Sequence, residues 1–168
     1  MEQDNGKYNS VEVAKYIAAY WNEKGADINM TKIQKILYIA YGTWLAIKDE
    51  RLVDEHPQAW PYGPVFPSTR NALLKMDFNA ICWDDIKEEN LKNDIELKIL
   101  IDSIFNSQFG EWTANELSAW SHKEGSPWEY TSSVSGAKWG NVIDDNRIKS
   151  FFRNKVINWK EWSKKTKQ

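Results

Sequence analysis

The chain holds little of what covalent and metal chemistry needs. Among 168 residues there is one cysteine, Cys82, and there are two histidines, His56 and His122. A lone cysteine cannot close an internal disulfide, which excludes a disulfide-stapled scaffold. Three soft ligands spread along the chain are a poor start for a zinc site, so no metal and no cofactor is expected. Phosphate loop, dinucleotide fingerprint, HExxH, GxSxG and paired CxxC patterns are all missing, which argues against the common enzyme classes. No apolar run approaches the roughly 20 residues that cross a bilayer. The start, "MEQDNGKYNS", lacks the apolar stretch of a signal peptide, and a soluble cytoplasmic chain without a membrane partner is expected. The net charge of −2 gives no overall field to draw in nucleic acid.

Aromatic rings are abundant: 10 Trp, 7 Tyr and 6 Phe. Large rings fill a core with few residues, and they also anchor protein interfaces. Around them the chain reads as successive helices. In "NSVEVAKYIAAYWNEKG" the residues Val13, Tyr16, Ile17, Tyr20 and Trp21 recur at helical spacing, with Asn9 or Ser10 as cap and Gly25 as stop. "TKIQKILYIAYGTWLAIK" is the most apolar segment and is expected to be the central helix. Thr31 and Gln34 stand at capping-box spacing, and Gly42 implies close approach of another backbone or ring. "NDIELKILIDSIFNSQFG" predicts a further helix, capped by Asn93 with Glu96 and ended by Gly110. Thr113 with Glu116, and Ser126 with Glu129, mark two short helix starts, the second with Pro127 in its first turn. The last helix runs from a cap at Asp144 or Asp145 through Ile148, Phe151, Phe152, Val156, Trp159 and Trp162.

Between the second helix and the middle of the chain lies "AWPYGPVFPS". Pro57, Pro61 and Pro64 forbid a helix there. Extended pieces at Leu52–Val53 and Gln58–Trp60 could pair as a small hairpin confined to an edge, and Pro67 suits a helix start. The fold class is therefore mainly α: a compact bundle of five to seven helices with a short proline-rich insert that forms at most a small β-hairpin. The acidic stretch "FNAICWDDIKEENLKND" reads as a loop with Phe78, Ile81 and Trp83 turned inward. Cys82 sits between apolar neighbours, where a thiol stays protonated and inert. His122, closing a helix, is placed where partial positive charge is favoured. Asp84, Asp85, Glu88 and Glu89 read as solvated surface or a docking patch.

Three stretches taken together carry a resemblance: "KIQKILYIAYGTWLA", "AWPYGPVFP" and "ELSAWSHKEGSPW". In this order and spacing the chain resembles the Panacea domain of SocA-like and phage-associated antitoxin proteins. The family's features fall on Gln34, Lys35, Leu37 and Tyr38; on Ala59, Trp60, Tyr62, Gly63, Pro64 and Val65; and on Leu117, Ser118, His122, Gly125, Ser126, Pro127 and Trp128. Ile33 stands where leucine is usual. The resemblance covers about 11–128 of a single domain spanning 1–168. Residues 129–168 form a variable extension with a last helix, and the stretch 132–142 and the Trp-rich end match no family pattern.

The resemblance implies a small helical antitoxin, not an enzyme. Its partner would be a cognate toxin protein, encoded by an adjacent gene and neutralised by direct binding; some members also serve as adaptors to a AAA+ protease. Two other readings are a prophage accessory protein that blocks a host defence factor, and a nucleic-acid-binding regulator using Lys160, Lys164, Lys165 and Lys167 beside two tryptophans. An enzyme built on Cys82 and a histidine ranks last. Trp60, Tyr62, Trp128, Trp159 and Trp162 are the candidate partner-binding residues. Trp60 and Tyr62, two apart, are expected on one side of an extended strand. A packing role competes with that one and is favoured: rings and prolines of the insert lock it against the central helix and fill the notch at Gly42.

Overall fold

The computed structural model describes residues 6–134 and 140–157. The expectation of a mainly α fold with a small hairpin holds. The elements run α1 (Ser10–Glu23), α2 (Met30–Lys48), β1 (Gln58–Trp60), β2 (Gly63–Val65), α3 (Pro67–Leu73), α4 (Glu89–Lys92), α5 (Ile95–Phe105), α6 (Gln108–Glu111), α7 (Ala114–Ser121), α8 (Pro127–Val134), β3 (Asn141–Val142) and α9 (Asp145–Phe151). A π-helical turn over Phe152–Val156 continues α9. Single 3-10 turns at Phe78–Ala80 and Trp83–Asp85 bridge α3 to α4 and set Ile81 into the core, with Phe78 and Trp83 half-buried against it.

Helix α2 is the axis of the molecule. Every residue from Ile33 to Ala46 is buried, because α1, α5, α7, α9 and β2 pack around it. A one-sided apolar stripe is what a surface helix shows; here the polar residues Gln34, Lys35 and Thr43 are enclosed as well. Their heads therefore need partners inside the protein.

Several caps differ from those expected. Asn29, not Thr31, starts α2: its side-chain oxygen accepts the Lys32 amide at 2.9 Å. Asp94, not Asn93, caps α5 through the Leu97 amide at 3.0 Å, which leaves Glu96 to pair with Lys48. Helix α5 ends at Phe105, and Gly110 lies inside α6. Asn9, Thr113 and Asp144 cap as their sequence positions imply.

Nor does Leu52–Val53 pair with Gln58–Trp60. Val53 bridges Tyr8, while β1 closes on β2 through the two-residue turn Pro61–Tyr62. The nearer partner wins because a two-residue loop costs least to close. A third strand, β3, lies on the other side of β1, giving the order β2-β1-β3 with Pro64 on an edge strand.

The notch at Gly42 is filled by Phe152, not by the insert. A Cβ on Gly42 would overlap the Phe152 ring, which also stands edge-on to Tyr38 with centroids 5.6 Å apart. Three tyrosines tie elements together: Tyr8 donates to Asp94, the cap of α5; Tyr20 of α1 to Asp102 of α5; and Tyr41 of α2 to Asp145 of α9. Burial first, and then the carboxylate partner, push the Tyr8 and Tyr20 hydroxyls far above the ordinary tyrosine range, so they stay protonated donors.

Overpacking of this kind costs about 1–3 kcal/mol. Gly42→Ala is therefore expected to lower unfolding stability by that amount in urea. Gly42→Ala combined with Phe152→Leu should lose less than the sum of the two single changes, since both act on one contact.

Candidate functional site

The three motif stretches lie far apart in sequence, and α2 gathers two of them onto the hairpin. The Gln34 amide clasps the backbone of Phe66 in both directions: its oxygen accepts the Phe66 amide at 2.8 Å, and its nitrogen donates to the Phe66 carbonyl at 3.4 Å. One turn position on, the Lys35 ammonium donates to the Pro64 carbonyl at 3.1 Å. Lys35 is only 2% exposed, and its charge has no carboxylate partner among the described residues. Burial alone brings its pKa down to about 8.

Gly63 sits directly against this ammonium stem. Its φ of +114° suits a residue without a side chain. A Cβ there would fall 2.5 Å from Ser121 Oγ and 2.7 Å from Lys35 Cε. Helix α7 thus delivers Ser121 to the hairpin and ends at His122. The His122 ring lies flat on Trp128, with centroids 4.0 Å apart and planes 22° from parallel. Trp128 Nε1 donates to the Trp60 carbonyl at 2.7 Å. The link between α7 and α8 is closed by Gly125, whose amide donates to Glu129 at 2.7 Å, and by Ser126, whose hydroxyl accepts the Glu129 amide at 3.2 Å. Pro127 fits the first turn of α8.

Trp60 is half-buried, with the Arg70 guanidinium over its ring at 5.6 Å and its own N–H on Gln58 at 3.1 Å. Tyr62 belongs to the turn, not to a strand, so the alternation expected for Trp60 and Tyr62 does not apply. Tyr62 stands at the tip of the hairpin, 74% exposed. The Tyr38 ring stands edge-on to Phe152. Trp159, Trp162, Lys160, Lys164, Lys165 and Lys167 lie outside the described residues.

Two expectations about the surroundings of side chains are overturned. His122 does close a helix, but burial first and the Lys35 ammonium second hold its pKa below the ordinary value, so the neutral ring is favoured. Cys82 is exposed, not lodged in an apolar setting; its amide is taken up by the Asp85 carboxylate at 2.9 Å. His56 packs against Arg51, at 2.7 Å. Among the described residues no group of three or more His, Cys, Asp and Glu could hold a metal ion, and no helix is long and apolar enough to cross a membrane.

Ser121 and Phe66 lie inside the motif stretches but are not among the residues that carry the resemblance, although both make the site's contacts. Ser121 precedes His122, and Phe66 follows Val65; a helix delivering one motif residue delivers its neighbour too. What the arrangement does chemically is grip. The Gln34 amide is spent on the backbone of Phe66, and the Lys35 ammonium and Trp128 indole on backbone of the hairpin.

These contacts define a helical scaffold that presents a clamped turn. The description "Antitoxin SocA-like, Panacea domain" matches residues 33–129, more than half of the chain, and the chain belongs to that family. It is also similar to Antitoxin SocA of Caulobacter vibrioides (strain NA1000 / CB15N), 29% identical over 143 residues, covering 75% of this chain and 72% of the relative. No solved structure matches.

The buried ammonium has a pH signature. Because the Lys35 pKa falls from the ordinary 10.5 to about 8 on folding, the charged form is penalised in the folded state. The penalty is complete below pH 8 and is lifted as pH climbs from 8 toward 10.5. Relative to Lys35→Met, the wild-type protein should therefore gain on the order of 1 kcal/mol of stability per pH unit across that window. Urea unfolding of both proteins at pH 7, 8 and 9 reads the difference, which should be flat below pH 8. For His122 the pKa is lowered in the fold, so folding weakens as pH drops through the ordinary histidine range.

Proposed function

We propose that this chain neutralises a cognate toxin, encoded beside it, by direct protein–protein binding and without a chemical step of its own. The observation that carries the reading is the use of the family's motif residues. Gln34, Lys35, Gly63, His122 and Trp128 are engaged in holding the hairpin, and the product of that hold is an exposed turn with Tyr62 at its tip. A turn fixed before contact loses little conformational freedom on association. Tyrosine is a frequent interface anchor because it brings large area with few rotatable bonds. The family gives the partner class, since the relative it resembles is described as an antitoxin.

In this reading the chain is one domain. The motif-bearing part, through about residue 129, supplies the scaffold, and the part beyond it adjusts the fit to a particular toxin.

Co-expression with each adjacent gene product tests the reading. The chain should restore growth to cells carrying one of those products and should co-purify with it. Tyr62→Ala should weaken that complex about tenfold or more while leaving the thermal midpoint of the free chain nearly unchanged, because the Tyr62 side chain is largely exposed. A chain that neither binds nor relieves any neighbouring product ends the proposal.

A further inference from the structure

A second surface is built on the other flank of α8. One side of this helix faces the hairpin through Trp128; the opposite side and α9 enclose an open groove of about 490 Å³. Pro127, Tyr130, Arg147, Phe151 and Lys155 line it, with Asp144 at one end. The Arg147 guanidinium lies over the Tyr130 ring at 3.2 Å from its centroid. Neither Arg147 nor Lys155 has a carboxylate partner among the described residues. The one acid in the lining, Asp144, is occupied as the α9 cap through the Arg147 amide at 3.2 Å.

From this we infer that the α8–α9 groove is a docking site for an acidic, aromatic-bearing segment of the protein partner, an inference that rests on the toxin-binding reading above. Stacking on Tyr130 fixes the plane of the guanidinium and leaves its N–H edges free to take a carboxylate in bidentate fashion. Lys155 offers a second positive charge, and the half-buried Phe151 ring offers an apolar floor. Both walls are held before anything binds. Helix α8 is tied to the Trp60 carbonyl, and α9 is tied to α2 by Tyr41 with Asp145 and to Asp49 by Lys149 at 2.7 Å. The chain as a whole carries a net charge of −2, so this basic groove is a local feature rather than part of a general positive field. Most of its lining lies beyond residue 129, where the family match ends. A site there would differ from member to member and would help choose the partner.

The test uses the full chain, a fluorescein-labelled eight-residue peptide alternating Glu and Phe, the same peptide with Lys for Glu, and a 20-base-pair DNA duplex. The wild-type protein should bind the acidic peptide and ignore the basic one, with affinity falling as salt rises. Arg147→Glu combined with Lys155→Glu should abolish that binding, and Tyr130→Ala should reduce it about tenfold, with thermal midpoints unchanged since all three side chains are exposed. Applied to the complex with the neighbouring gene product, the charge reversal should weaken binding by a similar factor. Unchanged affinity of the reversed protein for both peptide and toxin overturns the groove and leaves the antitoxin reading standing. Charge-dependent binding of the duplex with none of the peptide overturns it in favour of nucleic acid. Failure of the wild-type chain to bind any neighbouring product removes the antitoxin reading and this inference with it.

Discussion

A polar amide and an ammonium group sit on the most deeply buried helix of the molecule, and both must find acceptors there. An uncompensated charge in such a place costs several kcal/mol. Helix α2 meets this demand by using Gln34 and Lys35 as grips on the backbone of β2 and the residue after it. The hairpin is short, three residues a strand, and a hairpin of that size does not hold itself together in water. Each side thus supplies what the other lacks. The helix gains acceptors for its buried donors, and the hairpin gains a fixed backbone.

The same dependence spreads outward. Gly63 lets β2 approach the Lys35 stem and Ser121, so α7 must end at that spot. The end of α7 sets His122 against Trp128, and Trp128 sets α8 against β1. Phe152 closes the far side by entering the gap that Gly42 leaves in α2, which locks the C-terminal part of the described chain to the motif-bearing core. The molecule has two kinds of surface as a result. Around the motifs the Gln34, Lys35 and Trp128 polar groups are taken up by backbone. At the Tyr62 tip and in the α8–α9 groove, exposed side chains stand on backbone that is held in place.

Much of the architecture was legible in the sequence because apolar periodicity and caps are local. Val13 to Trp21, and Leu97 to Ile104, fold as their spacing implies, and Thr113, Pro67 and Asp144 start helices where their chemistry suits a start. What escaped was set by tertiary neighbours. Thr31 and Gln34 have the spacing of a capping box, but Asn29 is available two residues earlier and Gln34 is needed by Phe66. Strand β3 is two residues long and has no pattern of its own; it exists because β1 has an open edge. The ring at Gly42 could be expected from the glycine, but not which ring. At the site, the motifs named residues that meet around the hairpin without showing how they meet. Nothing in "KIQKILY" shows that its polar pair points into the hairpin, and nothing near Tyr130 in sequence announces an arginine stacked on it from α9.

The central claim is that α2 holds the hairpin from below through two buried polar side chains, and that this hold presents the outer surfaces. Amide hydrogen exchange in the wild-type protein and in Gln34→Ala measures it most directly. The account predicts that the Phe66 amide and the β1–β2 amides are strongly protected in the wild type and lose protection together in the variant, while α5 amides keep theirs. Hairpin amides that exchange equally slowly in both proteins would show that the clamp is not what orders the turn, and would contradict the account at its base.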